Sequence, residues 1–255
     1  MELVSFPAIY DTAFQFRSAQ KTVDFIEHCA DMYTDIPVES IVEFACGSGF
    51  FTVEFARRGY HAYGVDIDEA VCEYARQKGW NESLELSILC ADMTNVALPQ
   101  PCDLAVNLFD SLTYLVDEQR IIAHFRTAAK ALRSGGLYVV EIGLIDDFDN
   151  HNVKDVWTER RGECAVTTIY VRHGEIHPED HAFTEECSFC IACRDDVSYV
   201  VMKNRKLALT FDEFVGLVER SGCFIPLVFF DDFEPDAFLA EGARPWRVIA
   251  VLLKT

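Results

Sequence analysis

No apolar run in this sequence reaches the length of a membrane-spanning helix, and the N-terminus, with acidic Glu2, lacks the pattern of a secretory signal peptide. Basic residues are also few: 22 Lys and Arg stand against 42 Asp and Glu, which gives a formal net charge of −20. The densest basic cluster, Lys203, Arg205 and Lys206, is short. Because affinity for nucleic acid depends largely on basic side chains that neutralise phosphates, we expect neither a membrane nor a nucleic acid as partner.

A second Cys-x-x-Cys motif, which structural zinc sites commonly pair with a first, is missing too. The run Cys187-x-x-Cys190-x-x-Cys193 follows three histidines within residues 173–181. On a strand, Cys190 points away from the other two cysteines, so the three thiols do not converge on one tetrahedral ion. We therefore predict no metal and a cysteine-rich core strand. The ten cysteines are irregularly spaced, which is typical of reduced thiols in a cytoplasmic protein.

The segment 41–52 contains the most informative pattern: a short apolar strand, a turn of small residues and the start of a helix. Gly47 and Gly49 have no Cβ, so the backbone of this turn can approach a ligand closely. A second strand, 60–65, ends in Asp66, which follows Gly47 by 19 residues. Nucleotide-binding α/β folds place the acid that holds a ribose diol at about this distance. The pattern predicts a site for a nucleoside cofactor.

Which nucleoside is bound depends on the details of the turn. A dinucleotide fingerprint, G-x-G-x-x-G, requires a third glycine where this chain has Thr52. The turn instead resembles motif I of the class I S-adenosylmethionine-dependent methyltransferases, an acid-x-G-x-G-x-G pattern with a frequent cysteine in the middle. The matching positions are the acid Glu43, then Ala45, Cys46, Gly47 and Gly49, of which Ala45 replaces a glycine.

Two later segments extend the resemblance on the adenine side of the cofactor. A third strand, 84–89, is followed by Asp92 and Met93. In the family, an acid at this point binds the adenine amino group and the next apolar residue covers the ring. Ile67, directly after Asp66, would cover the other face of the adenine, although it can equally be an ordinary core residue.

The methionine side of the cofactor has its own candidates. A fourth strand continues into a loop that resembles motif IV, where Leu108 and Phe109 would line the methyl-donor end. In related small-molecule methyltransferases an N-terminal Tyr-Asp segment folds over the cofactor. The resemblance then implies that Tyr10 and Arg17 reach the methionine carboxylate. Alternatively, Tyr10 packs in a hydrophobic seam and Arg17 is solvated.

The resemblance implies an α/β fold, the Rossmann-like class I methyltransferase fold, with a mostly parallel seven-stranded sheet and helices on both faces. Residues 1–40 would form a helical cap, and 41–145 with 209–255 the cofactor-binding core. Alternating residues in 146–208 predict an antiparallel β insertion that roofs the substrate pocket or forms a dimer face. Half of the residues are hydrophobic, which is enough for one such domain.

The activity that the resemblance implies is methyl transfer from S-adenosylmethionine to nitrogen or oxygen of a small molecule, with an amine slightly favoured by the acidic charge. Such transfer requires in-line placement of the nucleophile and removal of its proton. Candidates near the acceptor are Asp110, Tyr114 and His151, but none is identified as the base, and Asp110 can equally cap the next helix. A nicotinamide-dependent oxidoreductase and a non-catalytic cofactor-binding protein remain alternatives, and a homodimer is possible.

Overall fold

The computed structural model describes residues 6–145, 152–177 and 179–255, so the candidate His151 lies outside the described residues. The helices are α1 (Phe6–Ala13), α2 (Ala19–Tyr33), α3 (Phe50–Arg57), α4 (Glu69–Asn81), α5 (Glu118–Ala131) and α6 (Phe211–Ser221), with a short 3₁₀ helix at Ser111–Tyr114. The strands are β1 (Ser40–Phe44), β2 (His61–Asp66), β3 (Leu86–Cys90), β4 (Cys102–Asn107), β5 (Leu132–Gly143), β6 (Asn152–Arg161), β7 (Cys164–His177), β8 (Ala182–Cys193), β9 (Asp196–Leu207), β10 (Phe224–Phe230) and β11 (Arg247–Lys254). None of the described helices is long and apolar enough to cross a membrane.

The central sheet has seven strands in the order β10-β11-β5-β4-β1-β2-β3. Strands β1 to β5 run parallel to one another, while β11 is antiparallel to both β5 and β10. This arrangement confirms the predicted class of sheet. Because β1 lies between β2 and β4, the order reverses at β1, and in such sheets a crevice opens at the carboxyl ends of the strands at that point.

The central sheet is buried on both faces, which explains why its strands are nearly continuous apolar runs. Side chains alternate along β1, so Val42 and Phe44 pack into one apolar core with α5 and α6. Ile41 packs on the opposite face into a second core with α2 and α3. Thr210 is the N-cap of α6 and forms a capping box with Glu213.

The sequence analysis does not predict α4, although this helix supports the turn after β1. Its amphipathic pattern is weak, because only a few of its residues are buried, among them Cys72 and Ala75. Its start is clear in the structure, where the Asp68 carboxylate accepts hydrogen bonds from the N–H groups of Ala70 and Val71. A side-chain cap of this kind satisfies the free N–H groups of a first turn.

Residues 152–207 form a separate four-stranded antiparallel sheet, β6-β7-β8-β9, inside the segment predicted as an insertion. Strand β7 continues to His177, although the residues at its end are mostly polar. Cross-strand pairing with β8 overrides the polar composition there. The inner face of this sheet packs against α1 through Val166, Phe189 and Ile191.

The cysteines depart from expectation in one respect: Cys164 on β7 and Cys193 on β8 are joined by a disulfide, while the other eight are free. The two residues lie directly opposite each other in the antiparallel register, and this brings their Cβ atoms within reach of a disulfide. The expectation that all ten thiols are reduced is therefore wrong. In the described part of the chain no group of three or more metal-binding side chains occurs. Cys187 is buried, and Cys190 is partly exposed.

Candidate functional site

The turn after β1 has an unusual backbone. Ala45, Gly47 and Gly49 all have positive φ, of 55°, 52° and 71°, a region that residues with a Cβ rarely adopt. A Cβ on Gly49 would lie 3.0 Å from the Cβ of Ala75 on α4. Gly49 is thus required both for its conformation and for the close approach of α3 to α4.

Glu43 braces this turn from beneath. It is buried, and its carboxylate accepts hydrogen bonds from the N–H of Thr52, at 2.7 Å, and from the hydroxyl of Thr52. Thr52 stands where a dinucleotide fingerprint has its third glycine, so the departure from that fingerprint has a structural use here. Burial raises the pKa of Glu43 to about 8, although the bonds from Thr52 act in the opposite direction.

Asp66 joins the ends of β1 and β2. Its Oδ2 accepts a hydrogen bond from the N–H of Gly47 at 2.9 Å, and its Oδ1 accepts one from the N–H of Asp68 at 3.0 Å. The next residue, Ile67, is 70% exposed, so it is not a core residue. Its side chain lies at the mouth of the crevice, beside Asp66.

Asp92 and Met93 follow β3 at the same edge of the sheet. The Asp92 carboxylate accepts hydrogen bonds from the N–H of Thr94 and from Arg120, both at 2.8 Å. Burial alone would raise the pKa of Asp92, but these bonds and the charge of Arg120 lower it below its usual range. The carboxylate is therefore ionised and is held in one orientation.

Sequence reasoning missed His124 on α5, which supports this segment from behind. Burial lowers the pKa of His124 to about 4, so the imidazole is neutral. A neutral ring donates from one nitrogen and accepts at the other. The contacts assign Nδ1 as donor to the carbonyl of Met93, at 3.0 Å, and Nε2 as acceptor from the hydroxyl of Tyr138. The signal in the sequence is a single histidine among the apolar residues of α5.

These residues surround a cavity of about 530 Å³ at the carboxyl edge of the sheet, within the range of small-molecule sites. Helix α1 covers it through Phe6 and Tyr10, and Phe14 directly after the helix also lines it. Of the residues predicted to bind cofactor, Arg17 and Gly49 do not line it. Those that do are Tyr10, Glu43, Ala45, Cys46, Gly47, Asp66, Ile67, Asp92, Met93, Leu108 and Phe109.

A second cavity, of about 690 Å³, lies between the central sheet and the four-stranded sheet. It adjoins the first, because Tyr10, Phe109, Tyr114 and Asn204 line both. Arg17 faces this second cavity with its side chain only 12% exposed, so it is not a solvated arginine.

Arg17 is held by a carboxylate and by aromatic rings. Its guanidinium forms an ion pair with Glu141 at 2.8 Å. It also lies 4.7 Å from the ring centre of Phe109 and 4.3 Å from that of Phe233, positions that favour cation–π attraction. Glu141 in turn accepts a hydrogen bond from the N–H of Phe109 at 2.7 Å. Arg17 is thereby tied to the loop that separates the two cavities.

Asp110 and Tyr114 belong to a charged cluster on the wall of the second cavity. The Asp110 carboxylate accepts hydrogen bonds from the N–H of Gly143, at 2.8 Å, and from Lys206, at 2.9 Å. Lys206 also pairs with Glu185 at 3.0 Å and lies 4.7 Å from the ring centre of Tyr114. Asp110 forms no side-chain cap for the 3₁₀ helix that follows it, so the capping alternative is wrong.

Burial shifts the titration of this cluster. It raises the pKa of Asp110 in spite of the opposing effect of Lys206, and it raises the pKa of Tyr114 to about 12. Lys206 is 5% exposed. Burial would lower its pKa, but the charge of Asp110 and its other neighbours raise it well above the usual value. Lys206 and Glu185 were not predicted as site residues, because only the folded chain brings β8 and β9 to the loop after β4.

Comparison with known proteins agrees with this architecture. Residues 41–136 match a family described as a methyltransferase domain. The YqeM protein of Bacillus subtilis strain 168, which is named as a methyltransferase, is 24% identical over 139 residues, 54% of this chain and 53% of that protein. The chain thus matches about half the length of this curated relative.

Two solved structures are similar over nearly the whole chain. An S-adenosylmethionine-dependent methyltransferase from Clostridium acetobutylicum ATCC 824 has a TM-score of 0.79 at 18% identity, covering 97% of both chains. KedS8 from Streptoalloteichus sp ATCC 53650, described as a sugar N-methyltransferase, has a TM-score of 0.73 at 18% identity, covering 95% of this chain and 92% of that one. At such identities the likeness establishes the fold, and the predicted class I architecture is confirmed.

Proposed function

We propose that this chain is a class I S-adenosylmethionine-dependent methyltransferase that methylates an amine nitrogen of a small molecule. The domain matched at residues 41–136 and the fold support the first part of this proposal. The observation that supports this proposal most is the pair of adjoining cavities, which share Phe109 and Tyr114. A donor in the first cavity and an acceptor in the second would meet at these two residues. Positioning of this kind supplies much of the catalysis in a bimolecular transfer.

The first cavity suits the cofactor because its residues match the groups of an adenosyl amino acid. When bound, S-adenosylmethionine supplies an electrophilic methyl group. Asp66 would hold the ribose. Asp92 and Met93 would bind the adenine, and Ile67 would cover its other face. Leu108 and Phe109 would line the methyl-donor end. The turn at Gly47, without a Cβ, leaves room for the methionine part. Tyr10 on α1 is the group that would reach the methionine carboxylate, while Arg17 faces the second cavity.

One charged cluster in the second cavity favours an amine for electrostatic reasons. Asp110 and Glu185 share one ammonium, Lys206, so the cluster has a net charge of −1 in a site that also contains the rings of Tyr10 and Tyr114. A buried negative cluster beside aromatic rings attracts a cation. The nitrogen must then lose a proton before it attacks, and Asp110 is the carboxylate that would accept it. The four-stranded sheet, which contributes Glu185 and Lys206, would roof this pocket.

The test is incubation with methyl-labelled S-adenosylmethionine and a panel of amines, amino sugars, alcohols, phenols and carboxylates. We expect label in amines and amino sugars. Label in oxygen compounds alone would contradict the choice of nitrogen, and binding of S-adenosylhomocysteine without any labelling would indicate a non-catalytic binding protein. Thermal stabilisation by NAD but not by S-adenosylhomocysteine would favour an oxidoreductase.

Two variants sharpen this test. Asp110→Asn should lower the turnover of amines at neutral pH far more than the affinity for S-adenosylhomocysteine, because Asp110 does not line the first cavity. Glu118→Gln, which removes an exposed carboxylate paired with Arg220 at 2.8 Å, is a matched control and should change neither quantity.

We also infer that two copies associate through the outer face of the four-stranded sheet. Val197, Tyr199 and Val201 are 58%, 74% and 56% exposed there, and such exposed apolar groups mark contact surfaces. Lys203 and Glu186 pair at 3.0 Å on the same face, so these two charges compensate each other beside the exposed apolar side chains.

Light scattering after gel filtration tests this association. We expect a dimer, and we expect Tyr199→Glu to give a monomer. Trp80→Glu, at a side chain 82% exposed on α4, is the control and should leave the dimer intact. A monomeric parent protein would contradict the inference. Residence in the cytoplasm stays a prediction, which cell fractionation can check.

A further inference from the structure

Asp11 on α1 is a buried carboxylate, 4% exposed, that has no role in the proposed transfer step. Its Oδ1 accepts hydrogen bonds from the hydroxyl of Ser48, at 2.7 Å, and from Lys78, at 3.0 Å. Its Oδ2 accepts two from Arg161, both at 3.1 Å, and the hydroxyl of Tyr74 lies 3.5 Å away. One carboxylate thus gathers two cations and two hydroxyl groups.

These partners come from three separate parts of the fold. Ser48 lies in the turn between β1 and α3, beside Gly47. Lys78 and Tyr74 lie on α4, and Arg161 is the last residue of β6 in the four-stranded sheet. Asp11 itself lies on α1, one residue after Tyr10, and both Asp11 and Ser48 line the first cavity. The carboxylate therefore connects α1 to the turn between β1 and α3, to α4 and to the four-stranded sheet.

The electrostatics indicate that this connection is strong. Burial alone would raise the pKa of Asp11, but Lys78, Ser48 and Arg161 lower it below its usual range. The side chain of Lys78 is 16% exposed and that of Arg161 is 35% exposed. Ion pairs that are screened from water and share several hydrogen bonds are costly to break, because removing one partner leaves an uncompensated buried charge.

We propose that Asp11 is a positioning residue that holds α1 against the turn between β1 and α3. By holding this helix over the first cavity, Asp11 sets the rate at which S-adenosylhomocysteine leaves it. Ser48 follows Gly47, whose N–H is bonded to Asp66, so the Asp11–Ser48 bond joins the cover directly to the predicted ribose-binding groups. Arg161 connects Asp11 to the four-stranded sheet as well, so that α1 is held from both sides. The inference rests on the proposed function only in that the first cavity binds S-adenosylhomocysteine.

The experiment measures binding and dissociation of S-adenosylhomocysteine in the full chain, by calorimetry and by displacement in a stopped-flow instrument. For Asp11→Asn we expect dissociation to accelerate by about tenfold or more, the scale of one lost charge-assisted hydrogen bond. KM for S-adenosylmethionine should rise by a similar factor. The affinity for the amine should change much less, because Asp11 does not line the second cavity.

Arg161→Met and Ser48→Ala should each give part of this effect, and each should add little in the background of Asp11→Asn, because residues in one network are not additive. The matched control is Glu163→Gln. This exposed carboxylate lies two residues after Arg161 and pairs with Arg194, the two side chains being 70% and 77% exposed. We expect it to leave dissociation unchanged.

Each outcome has a definite meaning. A parent protein that does not bind S-adenosylhomocysteine contradicts the proposed function rather than the role of Asp11. If the parent binds it and the folded Asp11→Asn protein releases it at the parent's rate, the positioning role is wrong, even if the variant melts at a lower temperature. Should Asp11→Asn not fold, unchanged dissociation in both Arg161→Met and Ser48→Ala overturns the proposal.

Discussion

Removal of the Asp66 carboxylate is the sharpest test of the first cavity. In the structure Asp66 makes two hydrogen bonds to backbone N–H groups, of Gly47 and Asp68, at 2.9 and 3.0 Å. Each carboxylate oxygen can accept a further bond, and the proposed site uses these for the ribose hydroxyls. Asp66→Ala should therefore weaken the binding of S-adenosylhomocysteine as well as loosen the turn.

The magnitude follows from the kind of bond that is lost. A hydrogen bond to a charged group contributes about 1.5–3 kcal/mol. At 1.4 kcal/mol per factor of ten, loss of one such net interaction raises Kd roughly 10- to 150-fold. Loss of the two backbone bonds should lower the free energy of unfolding by about 1–3 kcal/mol, since Asp66 is only half-buried.

Isothermal titration with S-adenosylhomocysteine measures the effect, and circular dichroism shows whether the variant is folded. Asp117→Ala is the matched control: this carboxylate also accepts from a backbone N–H, of Gln119, at 2.7 Å, but it does not line the first cavity. It should lose about 1 kcal/mol of stability as a helix cap and retain the parental Kd. A folded Asp66→Ala protein whose Kd lies within twofold of the parent's refutes the assignment of this cavity.

Three further predictions concern the turn and the thiols. The pKa of Glu43 is about 8 in the folded protein and about 4.3 in an unfolded chain, so the parent's free energy of unfolding should fall as pH rises through that interval. In urea denaturation, Glu43→Gln should flatten this part of the plot of unfolding free energy against pH. An unchanged slope would contradict the raised pKa of Glu43. Gly49→Ala should lose about 1–2 kcal/mol of stability because of its φ of 71°, whereas Gly216→Ala, in open space within α6, should be neutral or stabilising. The denatured, unreduced protein should contain eight reactive thiols and the reduced protein ten; ten in both samples would exclude the disulfide.

Much of the cofactor half was predictable because its signals are local. The strand, turn and helix start at 41–52 are determined by residues that are close in sequence. The same is true of the capping box of Thr210 and Glu213. The position of the acid at the end of β2 is determined by the length of one βα unit. Where local signals are weak, prediction failed: α4 has few apolar positions, and β7 continues through polar residues because β8 pairs with it.

The charged cluster of the second cavity and the contacts of Asp11 were not predictable in the same way, since each is assembled from distant segments. Lys206 reaches Asp110 across 96 residues of sequence, and Arg161 reaches Asp11 across 150. No periodicity or motif encodes such pairs, because they depend on how the second sheet is docked. The disulfide between Cys164 and Cys193 depends likewise on the register of β7 against β8.

The order of the residues alone determines that a strand, a glycine turn and an acid follow one another, and hence which family and fold the chain resembles, because steric limits on φ and the length of a βα unit act over a few residues. Only the tertiary structure decides which charges share a buried space, and so which residues surround the second cavity and which ones contact Asp11 on α1. The physical reason is that ion pairing and desolvation depend on distance and exclusion from water, and both arise only when remote segments pack together.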